Sequence, residues 1–190
     1  MDVLQTILSA MKLSGSVFLE AEFSDPWCVT SQIGPEDCAV FFTEPAHVIS
    51  YHYVLQGRLL CAVGEGPPVE VSAGQVMLVP RNDRHRLGSR LDLEAPEARD
   101  LIQPADARGL LRIVWGGGGE TCRMFCGFLG TVAPVNAFLL GLPSLLVVDL
   151  EAERADWVAR SFEFASTGLS TRSPDLVGRL AELLFAEAVQ

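Results

Sequence analysis

The sequence predicts a mainly β domain of sandwich or barrel form with helices at both ends, and three observations support this fold class. Between residues 16 and 129, short apolar runs of strand length alternate with Gly, Pro, Asn and Asp, a pattern typical of sandwiches and barrels. The two ends of the chain show helical spacing of apolar residues instead. With 190 residues, 49% of them hydrophobic and 20% charged, the chain is long enough to bury a core.

Residues 1–15 predict a short amphipathic helix that packs on the barrel. Gly15 ends the helical pattern. The apolar residues at helical spacing are Val3, Leu4, Ile7, Leu8 and Met11.

Residues 16–150 predict the barrel itself. Seven apolar runs are separated by turn residues and are expected to form its strands. They cover residues 17–19, 39–42, 48–55, 59–63, 75–79, 110–114 and 122–129.

Two connections between these runs stand out. Residues 88–109 are polar and acid-rich and contain Pro96 and Pro104, which predicts a long surface loop. Residues 116–119 are four consecutive glycines without the following Lys-Ser/Thr of a phosphate-binding loop, so a hairpin turn is favoured over a nucleotide site.

Residues 151–190 predict two helices that serve as a dimerisation or linker segment. The first covers residues 156–166 and ends at Gly168, and the second begins with Ser173 as its cap and Pro174 in its first turn. One face of the second helix is apolar and is the predicted dimer interface, although such a face also packs on a barrel. Its residues are Leu176, Leu180, Leu183 and Leu184.

Charge and cysteine content narrow the classes of function. The formal net charge is −10 and Lys12 is the single lysine, which makes a direct grip on nucleic-acid phosphates a poor hypothesis. The cysteine count of five is odd and disfavours a secreted disulfide framework. No signal peptide or membrane span is predicted, so a cytoplasmic location with free thiols and no membrane contact is expected.

The most informative motif is G-x5-P-x-N-x2-H, formed by Gly74, Pro80, Asn82 and His85. It resembles the second cupin motif, which has glycine where this chain has Asn82. Asparagine tolerates the left-handed backbone that the turn requires. The motif predicts a strand that opens at Gly74 and closes at Pro80, followed by a turn that directs His85 inward.

The strand that ends at Gly57 resembles the end of the first cupin motif. The position where a metal-binding cupin carries glutamate falls on Ser50, and the preceding histidine pair is absent. His52 has the same parity as Ser50, so it points into the barrel if that face is the interior.

The order of these segments resembles, over nearly the whole chain, the cupin-type N-terminal regulatory domain of AraC-family transcription regulators. The resemblance implies a cupin-like jelly-roll barrel with a short N-terminal helix and two C-terminal helices. It also implies a small-molecule effector, a homodimer, and DNA binding only through a C-terminal domain not in this chain. Residues 151–190 are acidic and leucine-rich and do not supply such a domain.

The barrel interior is the predicted ligand pocket, because small barrels hold one small molecule there. The alternative is that Trp27 and Phe41 simply fill the core. The candidate pocket residues are Trp27, Tyr51, His52, Tyr53 and His85.

A zinc site is the second prediction for the interior. Neutral imidazoles and a thiolate suit zinc, which points to His52 and His85 with Cys126 or Cys122. Four residues span roughly 13 Å along a strand, so at most one of the two cysteines is expected to bind. The alternative is a buried polar pair among small apolar thiols. No catalytic residue is predicted, and a stand-alone metal-dependent cupin enzyme is the rival hypothesis.

Overall fold

A computed structural model describes residues 14–34, 37, 47–104, 111–131, 137–150, 156–158 and 160. Within these residues the chain is mainly β. The elements whose bounds fall in the described ranges are ten strands, one α-helix and one 3-10 helix. They are β1 (Ser14–Ser24), β2 (Cys28–Ser31), β3 (His47–Gln56), β4 (Arg58–Val63), β5 (Val69–Ser72), β6 (Gln75–Val79), β7 (His85–Gly88), the 3-10 helix (Ala98–Leu101), β8 (Leu111–Gly116), β9 (Thr121–Thr131), α1 (Ala137–Gly141) and β10 (Leu146–Asp149).

The strands form two sheets. The larger sheet has six strands in the order β10-β6-β3-β9-β1-β8, and the smaller has four in the order β2-β7-β4-β5. Neighbouring strands are antiparallel except β1 and β8, which are parallel. β3 is central in the larger sheet, where it pairs with β6 on one side and β9 on the other.

The hydrophobic core lies between the two sheets, because one alternating set of side chains from each sheet meets there. The cluster of buried core residues draws on both sheets. Its members are Ala21, Phe23, Trp27, Val29, Val54, Leu59, Cys61, Val71, Met77, Leu87, Ile113, Cys122 and Met124.

The opposite face of the larger sheet is also apolar and buried. Tyr51 and Tyr53 alternate with the core-facing His52 and Val54 along β3, and both tyrosines are at most 2% exposed. Their register partners on β6 are Leu78 and Val76, which are equally buried. β3 therefore has two buried faces, which explains why its sequence lacks the alternation of polar and apolar residues that a half-exposed strand shows.

The sequence predicted five of these strands within two residues at each end: β3, β4, β6, β8 and β9. β1 is longer than predicted, because its inward Ala21 and Phe23 alternate with Glu20 and Glu22, which interrupted the apolar run. The four-residue strands β2, β5, β7 and β10 were not predicted.

Several predicted elements lie wholly or mostly outside the described residues. These are the N-terminal helix up to residue 13, the strand at 39–42 and the C-terminal helices with the interface residues Leu176, Leu180, Leu183 and Leu184. Of the first C-terminal helix, residues 156–158 and 160 are described and helical. The division at residues 15 and 150 stays a prediction.

The predicted hairpin at residues 116–119 is wrong. β8 and β9 do not pair with each other, because β1 lies between them and pairs with both. The glycines carry the chain across the end of β1. A Cβ on Gly116 would overlap the carbonyl oxygen of Ser24, and one on Gly117 would overlap the ring of Pro26. Close backbone approach, rather than hairpin geometry, explains these glycines.

Part of the predicted surface loop at 88–109 is fixed to the barrel. The Thr30 N–H donates to the Pro96 carbonyl at 2.9 Å, and Arg86 Nη2 donates to the Leu93 carbonyl at 2.9 Å. The 3-10 helix follows this anchored stretch. Among the described residues, no helix has the length and apolarity needed to cross a membrane.

Candidate functional site

A cavity of about 580 Å³ lies between the two sheets. The described part of its wall is largely apolar. Leu19, Ala21 and Phe23 come from β1, Ile113 from β8 and Phe128 from β9. Further parts of the wall come from residues 29–33, at and after β2, from Leu87 of β7, and from residues 97–99 and 102 around the 3-10 helix. Ile102 is 37% exposed and marks the side of the cavity nearest the surface.

A pair of buried histidines joins the two sheets next to this cavity. His52 comes from β3 in the larger sheet and borders the cavity, and His85 is the first residue of β7 in the smaller sheet. Their Nε2 atoms are 3.0 Å apart. His52 is 3% exposed and His85 is 1% exposed, so the contact is shielded from bulk water.

The surroundings of the pair favour neutral rings. Burial lowers the pKa of His52 well below its ordinary value, and the neighbouring His85 lowers it further. Burial also lowers the pKa of His85, although its hydrogen bond to the Asp83 backbone and the charge of Asp83 act in the opposite direction. His85 Nδ1 lies 2.9 Å from the Asp83 carbonyl oxygen. His52 Nδ1 is buried and has no hydrogen-bond partner in the described part of the chain.

Asn82 holds one edge of the cavity wall in place through hydrogen bonds. Its backbone has a φ of 53°, as the turn in the motif predicts. Its side-chain amide donates to the Ile33 carbonyl at 2.7 Å, and its Oδ1 accepts from the Ile33 N–H at 3.0 Å. Gln32 Nε2 donates to the Asn82 carbonyl at 3.1 Å. The turn residue therefore pairs with the segment that borders the cavity, much as a neighbouring strand would.

Charged side chains also hold this part of the wall in place. Arg99 donates to the Gln32 carbonyl at 3.2 Å and forms an ion pair with Asp37 at 3.3 Å. Glu97 forms an ion pair with Arg84. Arg99, Asp37 and Glu97 all border the cavity, and each is engaged with a protein group.

The sequence matches a protein-family model described as Cupin over residues 2–190. The chain belongs to the cupin family. The model is that of the cupin domain of AraC-type regulators, which confirms the predicted resemblance. A search of the curated proteins found no significant match.

Solved structures of ToxT from Vibrio cholerae are similar to this cupin domain. The unsaturated-fatty-acid-bound protein of strain SCE256 is 10% identical, with a TM-score of 0.43 over 93% of this chain and 53% of that chain. ToxT of O395 is 9% identical, with a TM-score of 0.44 over 93% of this chain and 54% of that chain. The cupin chain thus spans about half the length of these ToxT chains.

The five predicted pocket residues of this cupin lie in different places. His52 borders the cavity, and His85 lies behind it. Trp27 is packed in the core, where its ring stacks on Phe23 with centroids 4.0 Å apart. Tyr51 and Tyr53 lie on the other face of β3, and burial, followed by the nearby Cys126, raises the pKa of Tyr51. Both tyrosines are an odd number of residues from His52 along the strand, so their side chains lie on the opposite face from the cavity.

The predicted zinc ligands are brought together in part. Cys126 lies opposite His52 in the register of β3 and β9 and borders the cavity. Cys122 pairs with Phe23 in the core instead. Burial raises the pKa of Cys122 to about 12 and that of Cys126 above its ordinary range, as expected of thiols in apolar surroundings. Cys28 and Cys61 are also free thiols.

A complete metal centre is not formed by the residues in the described ranges. The glutamate position of metal-binding cupins is occupied by Ser50, a buried residue whose Oγ has no hydrogen-bond partner there. No group of three or more His, Cys, Asp and Glu side chains that could hold an ion occurs among those residues. The two imidazoles fit two positions of a metal ion, but a three-ligand centre does not fit the described side chains.

The lining residues that sequence reasoning missed lie partly on strands and partly on irregular segments. Residues 29–33 and 97–102 carry half of them, and the second group falls in the predicted surface loop. Its one available signal was the apolar content of Ala98, Leu101 and Ile102 within an otherwise polar stretch.

Proposed function

We propose that this cupin domain binds a small, largely apolar effector in the cavity beside His52. The cavity carries the proposal, because its volume of about 580 Å³ falls within the 300–1,000 Å³ or so that is usual for small-molecule sites. Its wall combines many apolar side chains with a few polar groups, as such sites do.

The role that we propose for binding is effector sensing in an AraC-type regulator. Family membership supports this role. The cavity contacts both sheets and the two irregular segments, so an effector that binds there favours the conformation in which those segments are closed. A homodimer through the C-terminal helices and DNA binding through a further domain complete the proposal. Coupling would require the effector to have different affinities for the two conformations.

The rival proposal is a stand-alone metal-binding cupin, with or without enzymatic activity. The observation that favours it is the 3.0 Å separation of the two histidine Nε2 atoms. Two nitrogens on one tetrahedral zinc ion lie about 3.3–3.4 Å apart, given zinc–nitrogen bonds of roughly 2.0–2.1 Å, so the two rings would need to separate by only a few tenths of an ångström. A ligand from outside the pair would have to complete such a site.

Thermal denaturation with a panel of sugars, aromatic acids and fatty acids tests the effector proposal. We expect at least one compound to raise the melting temperature in a concentration-dependent way, because a ligand that binds only the folded state stabilises it. Ala98→Phe places a ring on the cavity wall and should abolish that rise. Val114→Phe adds the same ring on β8, at a residue that is 49% exposed and does not border the cavity, and should leave the rise intact. A panel without a stabiliser, or equal effects of the two variants, contradicts the proposal.

A further inference from the structure

The hydrogen-bond directions within the histidine pair are fixed by a backbone carbonyl. His85 Nδ1 lies 2.9 Å from the Asp83 carbonyl oxygen. A carbonyl oxygen only accepts hydrogen bonds, so His85 Nδ1 must carry the hydrogen. This assignment follows from the hydrogen-bond network, as histidine tautomers usually must.

The remaining nitrogens follow in order. A neutral imidazole carries one hydrogen, and both rings are buried between the sheets, where a charged ring would lose its hydration. His85 Nε2 is therefore an acceptor, and His52 Nε2 donates to it across 3.0 Å. His52 Nδ1 is left with a lone pair and no hydrogen.

That lone pair belongs to a residue of the cavity wall. His52 borders the cavity, and its Nδ1 has almost no accessible surface and no hydrogen-bond partner among the described residues. A ligand in the cavity therefore reaches this nitrogen only when a side chain that covers it moves. A buried acceptor without a donor is costly. A ligand that supplies the donor removes that cost, and a ligand of the same shape without one does not.

The charges at the cavity argue against an anionic partner for this nitrogen. Asp37 and Glu97 contribute carboxylates to the wall, while Arg99 is the cation among the described lining residues. Arg99 already contacts Asp37 and the Gln32 carbonyl. A carboxylate ligand would face the lone pair of His52 and lose its hydration without gaining a dedicated counter-charge.

We propose that the effector is a neutral, mostly apolar molecule that donates a hydrogen bond to Nδ1 of His52 from a hydroxyl or N–H group. This inference rests on the proposed function, because it names the chemistry of the ligand for the same cavity. His85 acts as a positioning residue, since it holds His52 in the tautomer that accepts.

Three matched naphthalenes test the proposal by calorimetry on the whole chain at pH 7.5. 2-Naphthol donates a hydrogen bond, 2-methoxynaphthalene only accepts, and 2-naphthoate is an anion of similar shape. We expect 2-naphthol to bind about tenfold more tightly than the ether, as one buried hydrogen bond allows, and 2-naphthoate to bind most weakly. In His52→Phe the preference for 2-naphthol should vanish, while the ether keeps its affinity within about twofold.

The possible results separate the two proposals. Equal binding of 2-naphthol and the ether, or tightest binding of 2-naphthoate, overturns this inference and leaves the cavity as a binding site. Failure of all three to bind, together with an empty effector screen, overturns both.

Nitrogen-15 chemical shifts of the histidines in the native chain test the tautomers even if His52→Phe does not fold. We expect an unprotonated Nδ1 and a protonated Nε2 on His52, with the reverse on His85. A protonated His52 Nδ1 overturns the inference. Addition of 2-naphthol should shift the His52 Nδ1 resonance, and the ether should not.

Discussion

The two halves of the space between the sheets are built in different ways. In what we call the packed half, Val54, Leu59, Val71 and Met77 meet from β3, β4, β5 and β6, and none of them borders the cavity. In the cavity half, Ala21, Val29, Leu87 and Ile113 belong to the same core cluster but border a void of about 580 Å³. Regular strands close the first half. Irregular segments, held by Asn82 and Arg99, complete the second.

The difference shows that two kinds of interaction contribute differently in this domain. Apolar packing supplies most of the stability, whereas hydrogen bonds and ion pairs fix the position of the cavity wall. The packed half provides close contact on all sides of each side chain, which is the larger source of stability. The cavity half gives up part of that contact to leave room for a ligand. Its wall is kept in place by hydrogen bonds and ion pairs, each of which contributes little to net stability but fixes geometry.

A matched pair of leucines gives the largest expected effect. Leu59 and Leu87 are both 2% exposed and both belong to the core cluster, but Leu87 alone of the two borders the cavity. Leu59→Ala should lower the free energy of unfolding by about 3–4 kcal/mol, and Leu87→Ala by about 2 kcal/mol, because a side chain at a void has fewer contacts to lose. Urea denaturation measures both. Equal losses would show that the two halves are packed alike.

The contrast also explains how far the sequence could predict the structure. The strands of the packed half have apolar runs or clear turns, and β3, β4 and β6 were predicted. The turn that brings His85 inward was also predicted, because the spacing of Gly74, Pro80, Asn82 and His85 in the motif determines where the chain turns. The irregular segments of the cavity wall could not be predicted in this way. Asn82 and Ile33 are 49 residues apart and Arg99 and Gln32 are 67 apart, and no local periodicity encodes such contacts.

The alternation of side chains along β3 explains why only some of the predicted pocket residues border the cavity. His52 was placed inward from its parity with Ser50, and β3 has that face toward the core. The same rule, applied to Tyr51 and Tyr53, places them on the opposite face. That face is also buried, and a strand with two apolar faces does not show in its sequence which one meets the cavity.

The histidine pair, which links the two sheets, should make stability depend on pH. The pKa values of both rings are lowered in the folded protein, so below the ordinary value of 6.5 the unfolded chain binds more protons than the folded chain. Stability is therefore fully present above about pH 6.5 and is lost as pH falls toward the lowered values. The slope is up to about 1.4 kcal/mol per pH unit for each proton.

Urea denaturation between pH 7.5 and pH 5 measures this dependence. The double variant His52→Gln, His85→Gln removes the titrating rings and should flatten the curve over that range. Cys126 lies beside the pair, the Asp83 carbonyl contacts His85 and the Asp83 charge acts on it, and both residues are unchanged in this control. A curve that is equally steep in the double variant would assign the pH dependence to other groups.

The smallest expected effect on stability concerns Asn82. Its substitution tests directly whether hydrogen bonds hold the wall of the cavity half in place. Asn82→Gly keeps a residue that tolerates the φ of 53° but removes both side-chain hydrogen bonds to Ile33. We expect the free energy of unfolding to fall by about 1–2 kcal/mol. Amide hydrogen exchange should rise locally at residues 32–34, with little change at the amides of β4.

Asn82→Asp is the matched variant. It keeps the oxygen that accepts from the Ile33 N–H but replaces the amide group that donates to the Ile33 carbonyl with a second oxygen. Two oxygens then face each other, so exchange at residues 32–34 should increase while the Ile33 amide stays more protected than in Asn82→Gly. If the glycine variant instead loosened the packed half as strongly as residues 32–34, the turn would support the whole barrel. The proposed division into a packed half and a cavity half held by hydrogen bonds and ion pairs would then be wrong.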